Sequence, residues 1–192
     1  MLDAMYRFAK RNMSVVFIGD STMRQKLQAL ECELYREDGK IRIKGSMSGI
    51  LPCHTPLEVF LPNGQVVDLH GISMGPNSVN CLKGGLHRKD PHGGIFENAR
   101  DIVQKLNREQ GRGVFVLANV GLWYNDDELF DKIIPAILDW LKDVANEPGV
   151  QNIVTWHETM SQHWPNLIGS GYFYHRIFLR DISKISFISI IK

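Results

Sequence analysis

The triplet Gly19-Asp20-Ser21 joins an apolar run, Ser14 to Ile18, to a stretch with helical composition, Thr22 to Leu34. A short apolar run that stops at a turn signal is typical of a buried strand in a parallel sheet. Ser21 is therefore predicted at the carboxyl end of a strand, where ligands of such sheets bind, and in the first turn of a helix. Unpaired N–H groups there favour an alkoxide and a neighbouring oxyanion. We expect Ser21 to be an acyl-transfer nucleophile; the alternative is that Asp20 and Ser21 only cap the helix.

Composition limits the classes of function. The 192 residues fit one compact domain, and the net charge of +1, with no basic run longer than two residues, argues against nucleic-acid or anionic-membrane binding. Apolar runs are too short to span a bilayer, and Met1 to Met13 lacks the apolar centre of a signal peptide. The three cysteines, Cys32, Cys53 and Cys81, have no metal-ligand spacing. Because their number is odd, at least one thiol is free, and whether the other two form a disulfide is left open. We expect no cofactor.

Strands alternate with helices along the chain, which predicts an α/β fold with a mainly parallel central sheet. An amphipathic helix is expected at the amino terminus. Central strands are expected at 14–18, 113–119 and 152–156, and further helices at 22–34, 97–110 and 128–146. Between the first two central strands we expect a strand at 41–43, a loop at 45–56, an inserted or edge hairpin at 57–61 and 65–70, and a long loop at 71–94.

The long loop carries histidines that invite a metal-site interpretation. His87 and His92 lie in it and His70 lies just before it. Their spacings match no known ligand pattern, and histidines in such loops are commonly solvated. We therefore predict no metal site.

Polar residues follow each of the three central strands. The first strand is followed by Asp20 to Gln25, the second by Asn119 to Tyr124, and the third by His157 to Trp164. We expect these three segments to meet at one edge of the sheet, because the carboxyl ends of parallel strands share an edge.

Taken in order, these three segments resemble the PC-esterase branch of the SGNH (GDSL) hydrolase superfamily. That branch has G-D-S-x-x-R-(N/Q) at the first strand, N-x-G-x-W-(W/Y) at the second, and a third block ending in H-(F/W). The resemblance spans about Val15 to Trp164, most of the chain. It implies a three-layer α/β/α, SGNH-hydrolase-like domain over 1–192, with an inserted hairpin and a long loop. It also implies O-acetyl transfer or ester hydrolysis on a glycan, with an acyl donor, in the Golgi or secretory pathway.

The resemblance assigns roles residue by residue. Ser21 matches the nucleophile and Asp20 its neighbour in the motif, and Arg24 and Gln25 match the pair after it, which we expect to bind substrate. Asn119 and Gly121 match the block beside the oxyanion hole. The Ser21 N–H, the Gly121 N–H and the Asn119 amide are then plausible oxyanion donors. An ordinary strand-to-loop turn is the alternative for the second block.

The remaining matches concern substrate. Trp123 and Tyr124 are expected to stack on a sugar, although aromatic residues after a strand also serve in packing. His163 matches the histidine of the third block, which in the family is structural or close to substrate. His157 stands where the family usually has Arg, and we expect it to contact substrate.

One part of the family pattern is missing. Members carry a D-x-x-H motif near the carboxyl end, whose His takes the proton from Ser. After His163 this chain has only His175, with Asp181 downstream of it, and the tail 172–192 is atypical. Either the domain is incomplete at its carboxyl end, or the chain is a pseudoenzyme that binds a glycan or partner; His163 as a substitute base is a third hypothesis. A nucleotide-binding protein is disfavoured, because no G-x-G-x-x-G or P-loop follows a strand.

Overall fold

The computed structural model describes residues 1–19, 21–37, 40–45, 54–73, 93–119 and 127–157. This part of the chain is an α/β structure with a mixed, mostly parallel six-stranded sheet and four helices. The helices are α1 Leu2–Lys10, α2 Ser21–Tyr35, α3 Gly93–Gln104, which a π-helical turn at Lys105–Glu109 continues, and α4 Asp127–Ala145. The strands are β1 Met13–Gly19, β2 Arg42–Lys44, β3 His54–Phe60, β4 Val66–Ser73, β5 Gly113–Asn119 and β6 Ile153–Trp156.

The strand order in the sheet is β2-β3-β4-β1-β5-β6. Strands β4, β1, β5 and β6 run parallel, whereas β2, β3 and β4 pair antiparallel. The three predicted central strands are confirmed, as are α1, α2 and α4, with ends that differ by no more than two residues. The hairpin is also confirmed, but its prediction as an inserted or edge element is wrong for β4. That strand pairs with β1 and is part of the central sheet.

The predicted loop at 45–56 ends earlier than expected, because β3 begins at His54. Pro56 lies inside this strand opposite His70 of β4, although proline cannot donate a ladder hydrogen bond. The neighbouring strand β2 pairs only with Glu58, Val59 and Phe60. In the described part of the chain the ladder between β2 and β3 does not reach Pro56, so the missing N–H interrupts no described pairing with β2.

The other differences are at the ends of the long segment 71–94. Strand β4 continues to Ser73, and α3 begins at Gly93 rather than at Glu97. The hairpin turn itself follows the predicted Pro62-Asn63-Gly64 signal: Gly64 N–H donates to the Leu61 carbonyl at 2.9 Å, and Gly64 has a φ of 82°. A positive φ at the last turn residue explains the glycine.

Buried apolar side chains form two clusters that divide the residues of β1 by alternation. Val15 and Phe17 pack with α1, α2 and the hairpin strands, whereas Val16 and Ile18 pack with α3 and α4. A strand that packs into both clusters must be apolar on both faces, as the uninterrupted burial of β1 shows. No helix of the described ranges is long and apolar enough to span a membrane.

Two asparagines join the helices to the amino end of β5. Asn107 and Asn152 exchange side-chain amide hydrogen bonds of 3.0 and 3.1 Å. Asn152 also accepts from the Val114 N–H at 2.9 Å and donates to the Val144 carbonyl at 2.7 Å. This network ties the π-helical turn, β5 and the end of α4 together at the edge opposite the carboxyl ends of the strands.

Ser14 in β1 allows a test of this packing. Its side chain is fully buried, and its Oγ has no hydrogen-bond partner in the described part of the chain. An unpaired buried hydroxyl is unfavourable, so Ser14→Ala should leave the free energy of unfolding unchanged or raise it by up to about 1 kcal/mol. Ile18→Val in the same strand is the control and should lower it by about 0.5–1.5 kcal/mol. Denaturant unfolding measures both, and a clear loss in Ser14→Ala would mean that the hydroxyl is bonded.

Candidate functional site

The carboxyl ends of β1, β5 and β6 lie side by side at one edge of the sheet. Gly19, the last residue of β1, pairs with Asn119, the last residue of β5. The His157 N–H, just after β6, donates to the Ala118 carbonyl at 2.8 Å. The expectation that the three strand ends meet at one edge is therefore confirmed. We call the place formed by Gly19, Asn119 and His157 the carboxyl edge.

The topology makes this edge a place for ligands. After β1 the chain continues to β4 on one side of that strand, and it then crosses to β5 on the other side. The connections on the two sides of β1 thus lead away in opposite directions, so the ends of β1 and β5 form a topological switch point. Ligands of open α/β sheets bind at such a topological switch point.

Gly19 fits here because β1, β5 and α2 come very close together. A Cβ at Gly19 would overlap the Asn119 carbonyl oxygen, and it would lie 3.0 Å from the Cβ of Met23 in α2. Any side chain at this position would push the helix or the neighbouring strand away. The glycine of the Gly-Asp-Ser triplet is therefore explained by packing, independently of any reaction.

Asn119 holds the end of β6 in place. Its side chain is 1% exposed, and its Nδ2 donates to the His157 carbonyl at 2.9 Å. The amide thus extends the pairing of β5 and β6 by one step beyond the last strand residue. Its role as an oxyanion donor stays a prediction. One N–H of the amide is already used in the hydrogen bond to the His157 carbonyl.

The His157 side chain is exposed at this edge. Val154 and Trp156 of β6 pack in the cluster that contains α3 and α4. Alternation therefore assigns His157 to the opposite face of the sheet, the face that α2 covers. Asn119 belongs to the same face, since Leu117 packs in the cluster that contains α2.

Helix α2 begins at Ser21, beside this edge. Met23 and Leu27 are fully buried and fix the first turns of the helix on the sheet. Arg24 is half-buried and Gln25 is exposed. The backbone of Ser21 is thereby held at the end of β1, whereas its side chain lies outside the described part.

Several predicted site residues lie outside the described residues. They are Asp20, Gly121, Trp123, Tyr124 and His163. Their roles in catalysis or substrate binding stay predictions. His87 and His92 also lie outside, so only His70 of the histidine group can be located.

His70 forms a pair that the sequence did not reveal. It lies in β4, and its Nδ1 is 2.9 Å from the Nε2 of His54 in β3, with the two rings stacked at 5.2 Å. His70 lies in a strand, as predicted, but it is not solvated as the histidines of such loops commonly are, because its Nε2 is buried without a partner among the described residues. Within the described ranges no three His, Cys, Asp or Glu side chains gather as metal ligands.

The surroundings of the pair disfavour a positive charge. Burial lowers the pKa of His70 to about 4, and the charges of His54 and Arg112 contribute to the shift. Burial and, to a smaller extent, the charge of Lys105 also lower the pKa of His54. Asp68 forms an ion pair with Arg112 on the same face of β4. Both rings are therefore neutral at pH 7, and one donates a hydrogen bond to the other.

The hairpin register contains the signal for this pair. The turn at 62–64 sets Leu57 opposite Leu69, and continuing the pairing places His54 beside His70 on one face. Pro56 conceals the signal, since a proline argues against a strand. Extending the register through the proline would have predicted the contact.

The lowered pKa of His70 predicts a loss of stability in acid. The unfolded chain binds a proton near the ordinary pKa of 6.5, whereas the folded chain binds it only near 4. The contribution of His70 to the free energy of unfolding is therefore fully present above pH 6.5. It is lost as the pH decreases toward 4, by on the order of 3 kcal/mol. Urea unfolding between pH 7 and 4 should show a weaker pH dependence for His70→Gln than for the parent. His157→Gln is the control, and an unchanged dependence in His70→Gln would contradict the prediction.

Asn119 predicts a second stability effect. Asn119→Ala leaves the His157 carbonyl without its donor and removes a buried side chain, so the free energy of unfolding should fall by about 1–3 kcal/mol. Asn119→Asp should destabilise more, because it also buries a negative charge next to the His157 carbonyl oxygen. Thermal unfolding compares them, with the exposed Gln25→Ala as the control. A variant as stable as the parent would show that the hydrogen bond contributes nothing.

No family model matches the chain, and no curated protein or solved structure matches it either.

Proposed function

We propose that the protein is a serine-dependent O-acyltransferase or esterase that acts on a glycan through an acyl-enzyme on Ser21. The acyl group is an acetyl group by resemblance to the PC-esterase branch. The partners are then a carbohydrate acceptor and an acyl donor. The proposal includes a three-layer, SGNH-like arrangement, which is supported by the separate clusters that α1 and α2, and α3 and α4, form with alternate residues of β1.

The observation that carries the proposal is the position of the α2 start. The helix begins with Ser21 at the switch point between β1 and β5, two residues after Gly19 pairs with Asn119. A crevice at a switch point is where a substrate of an open α/β sheet binds. The first N–H groups of a helix have no intrahelical acceptors, so they can donate to an anionic oxygen there.

The proposed reaction has two halves. The Ser21 Oγ attacks the acyl carbonyl carbon, and backbone N–H groups, including that of Ser21, stabilise the resulting oxyanion. Collapse of this intermediate expels the alcohol or donor and leaves an ester on Ser21. A sugar hydroxyl or water then attacks this ester and releases the serine.

The other site residues serve substrate binding in this proposal. Arg24 and Gln25 lie in the first two turns of α2, close to its Ser21 end. Trp123 and Tyr124 would supply a stacking surface for a sugar ring. Asn119 supports the site by fixing the backbone of His157, whether or not it also contacts the oxyanion.

The missing D-x-x-H motif favours a second candidate function. A protein with the same crevice but without a base would bind a glycan or a protein partner and would not turn over an ester. The two candidates differ in the reactivity of Ser21. A fluorophosphonate probe forms a covalent bond only with an activated serine, so it separates them.

The experiment measures acetate release from an aryl acetate and covalent labelling by a fluorophosphonate. We expect the parent to release acetate and to be labelled at Ser21, and Ser21→Ala to lose at least about a hundredfold in rate and all labelling. Ser14→Ala is the matched control, because it removes a hydroxyl from the buried part of β1. It should keep both activities.

Three results would contradict the enzyme. Acetate release by Ser21→Ala at the parent rate would remove Ser21 as the nucleophile. Labelling of the parent at another residue would do the same. A folded parent that is neither labelled nor active, but that binds an acetylated oligosaccharide, would support the binding protein instead.

A further inference from the structure

An acyl-enzyme on Ser21 requires a group that accepts the serine proton. An unassisted serine hydroxyl is a weak nucleophile, and an adjacent base is its usual activator. The sequence lacks the D-x-x-H motif that carries the base in the family it resembles. We therefore ask which residue at the carboxyl edge, among those that the structure describes, could accept the proton.

We propose that His157 is the general base for Ser21. This inference depends on the function proposed above and adds a residue role that the resemblance does not contain, since the family usually has an arginine at this position. Among the described histidines, His157 alone lies at this edge on the face that α2 covers. His54 and His70 contact each other on the opposite face, where the neighbouring Ile72 packs with α3 and α4.

His157 is placed by the backbone rather than by its side chain. Its N–H donates to the Ala118 carbonyl at 2.8 Å, and its carbonyl accepts from Asn119 Nδ2 at 2.9 Å. Both hydrogen bonds join His157 to β5, the strand between β6 and β1. The Cα of His157 is therefore fixed at the level of Asn119, while its imidazole is exposed to solvent.

The imidazole and Ser21 belong to the same face of the sheet. Alternation along β6 assigns His157 to the face that α2 covers, and α2 begins at Ser21. Two strand spacings of about 4.8 Å separate β6 from β1, so the Cα atoms of His157 and Gly19 are about 10 Å apart. The proposal requires that Ser21 Oγ and a ring nitrogen of His157 come within hydrogen-bond reach across the end of β5, directly or through one water.

The proton balance closes with His157 alone. As Ser21 Oγ bonds to the acyl carbon, its proton moves to a neutral ring nitrogen of His157. The imidazolium returns the proton to the leaving oxygen as the acyl C–O bond breaks. In the second half His157 takes the proton of the incoming water or sugar hydroxyl, and Ser21 Oγ recovers it when the ester bond breaks.

His163 is the competing base, since it lies in the same segment of the sequence. The experiment therefore compares His157→Ala, His157→Gln and His163→Ala with the parent in full-length protein. Each is measured for acetate release from an aryl acetate, for the rate of fluorophosphonate labelling, and for rescue of both by added imidazole. Because the His157 side chain is exposed, its variants should unfold at the same temperature as the parent. Thermal unfolding of each variant therefore verifies its fold.

We expect both His157 variants to lose at least about a hundredfold in acetate release and in labelling rate. Labelling should still reach Ser21 on long incubation, because the nucleophile is intact. Imidazole should restore part of the rate in His157→Ala, where it can occupy the vacated space. His163→Ala should lose no rate that added imidazole restores, whatever its effect on substrate binding.

Two results would overturn the assignment, and they are distinguishable from each other. If His157→Ala reacts at the parent rate, or if His163→Ala loses the rate and is rescued by imidazole, His157 is not the base while Ser21 remains the nucleophile. If the parent itself fails to react at Ser21, the proposed function fails, and the role of His157 fails with it.

Discussion

The close contact of β1, β5 and α2 at Gly19 is the constraint on which the carboxyl edge depends. Without a side chain at Gly19, the Asn119 carbonyl and the Met23 Cβ can approach the backbone from two elements at once. Met23 and Leu27 then seal α2 against the sheet. The start of the helix is therefore held at the end of β1, and the backbone of Ser21 lies beside the end of β5.

Much of this architecture could be predicted from the sequence. The apolar runs of β1 and β5 and the periodic residues of α4 specify their elements, because each element is buried along a regular pattern. The position of β4 could not be predicted in the same way. Its hairpin signal is local, whereas its pairing with β1 depends on the whole sheet. A turn motif shows which strands are joined, but it does not show which other strand lies beside them.

The candidate site divides along the same line. That the three strand ends share an edge follows from parallel strands, and the pairing of Gly19 with Asn119 agrees. The hydrogen bond from Asn119 to the His157 carbonyl could not be foreseen, because it joins residues 38 positions apart through a side chain. The pairing of His54 with His70 was hidden by Pro56, since a proline ordinarily marks the end of a strand. Side-chain contacts of this kind depend on register, which composition does not encode.

The short strand β2 has a consequence for the outer margin of the described sheet. It pairs with β3 over only three residues, and this pairing stops at Glu58, short of Pro56. Strand β2 is therefore short, and two of its three side chains, Arg42 and Lys44, are exposed cations. A short, charged margin is a poor template for the strands of other molecules. This margin of the described sheet is therefore poorly suited to edge-to-edge pairing with another molecule.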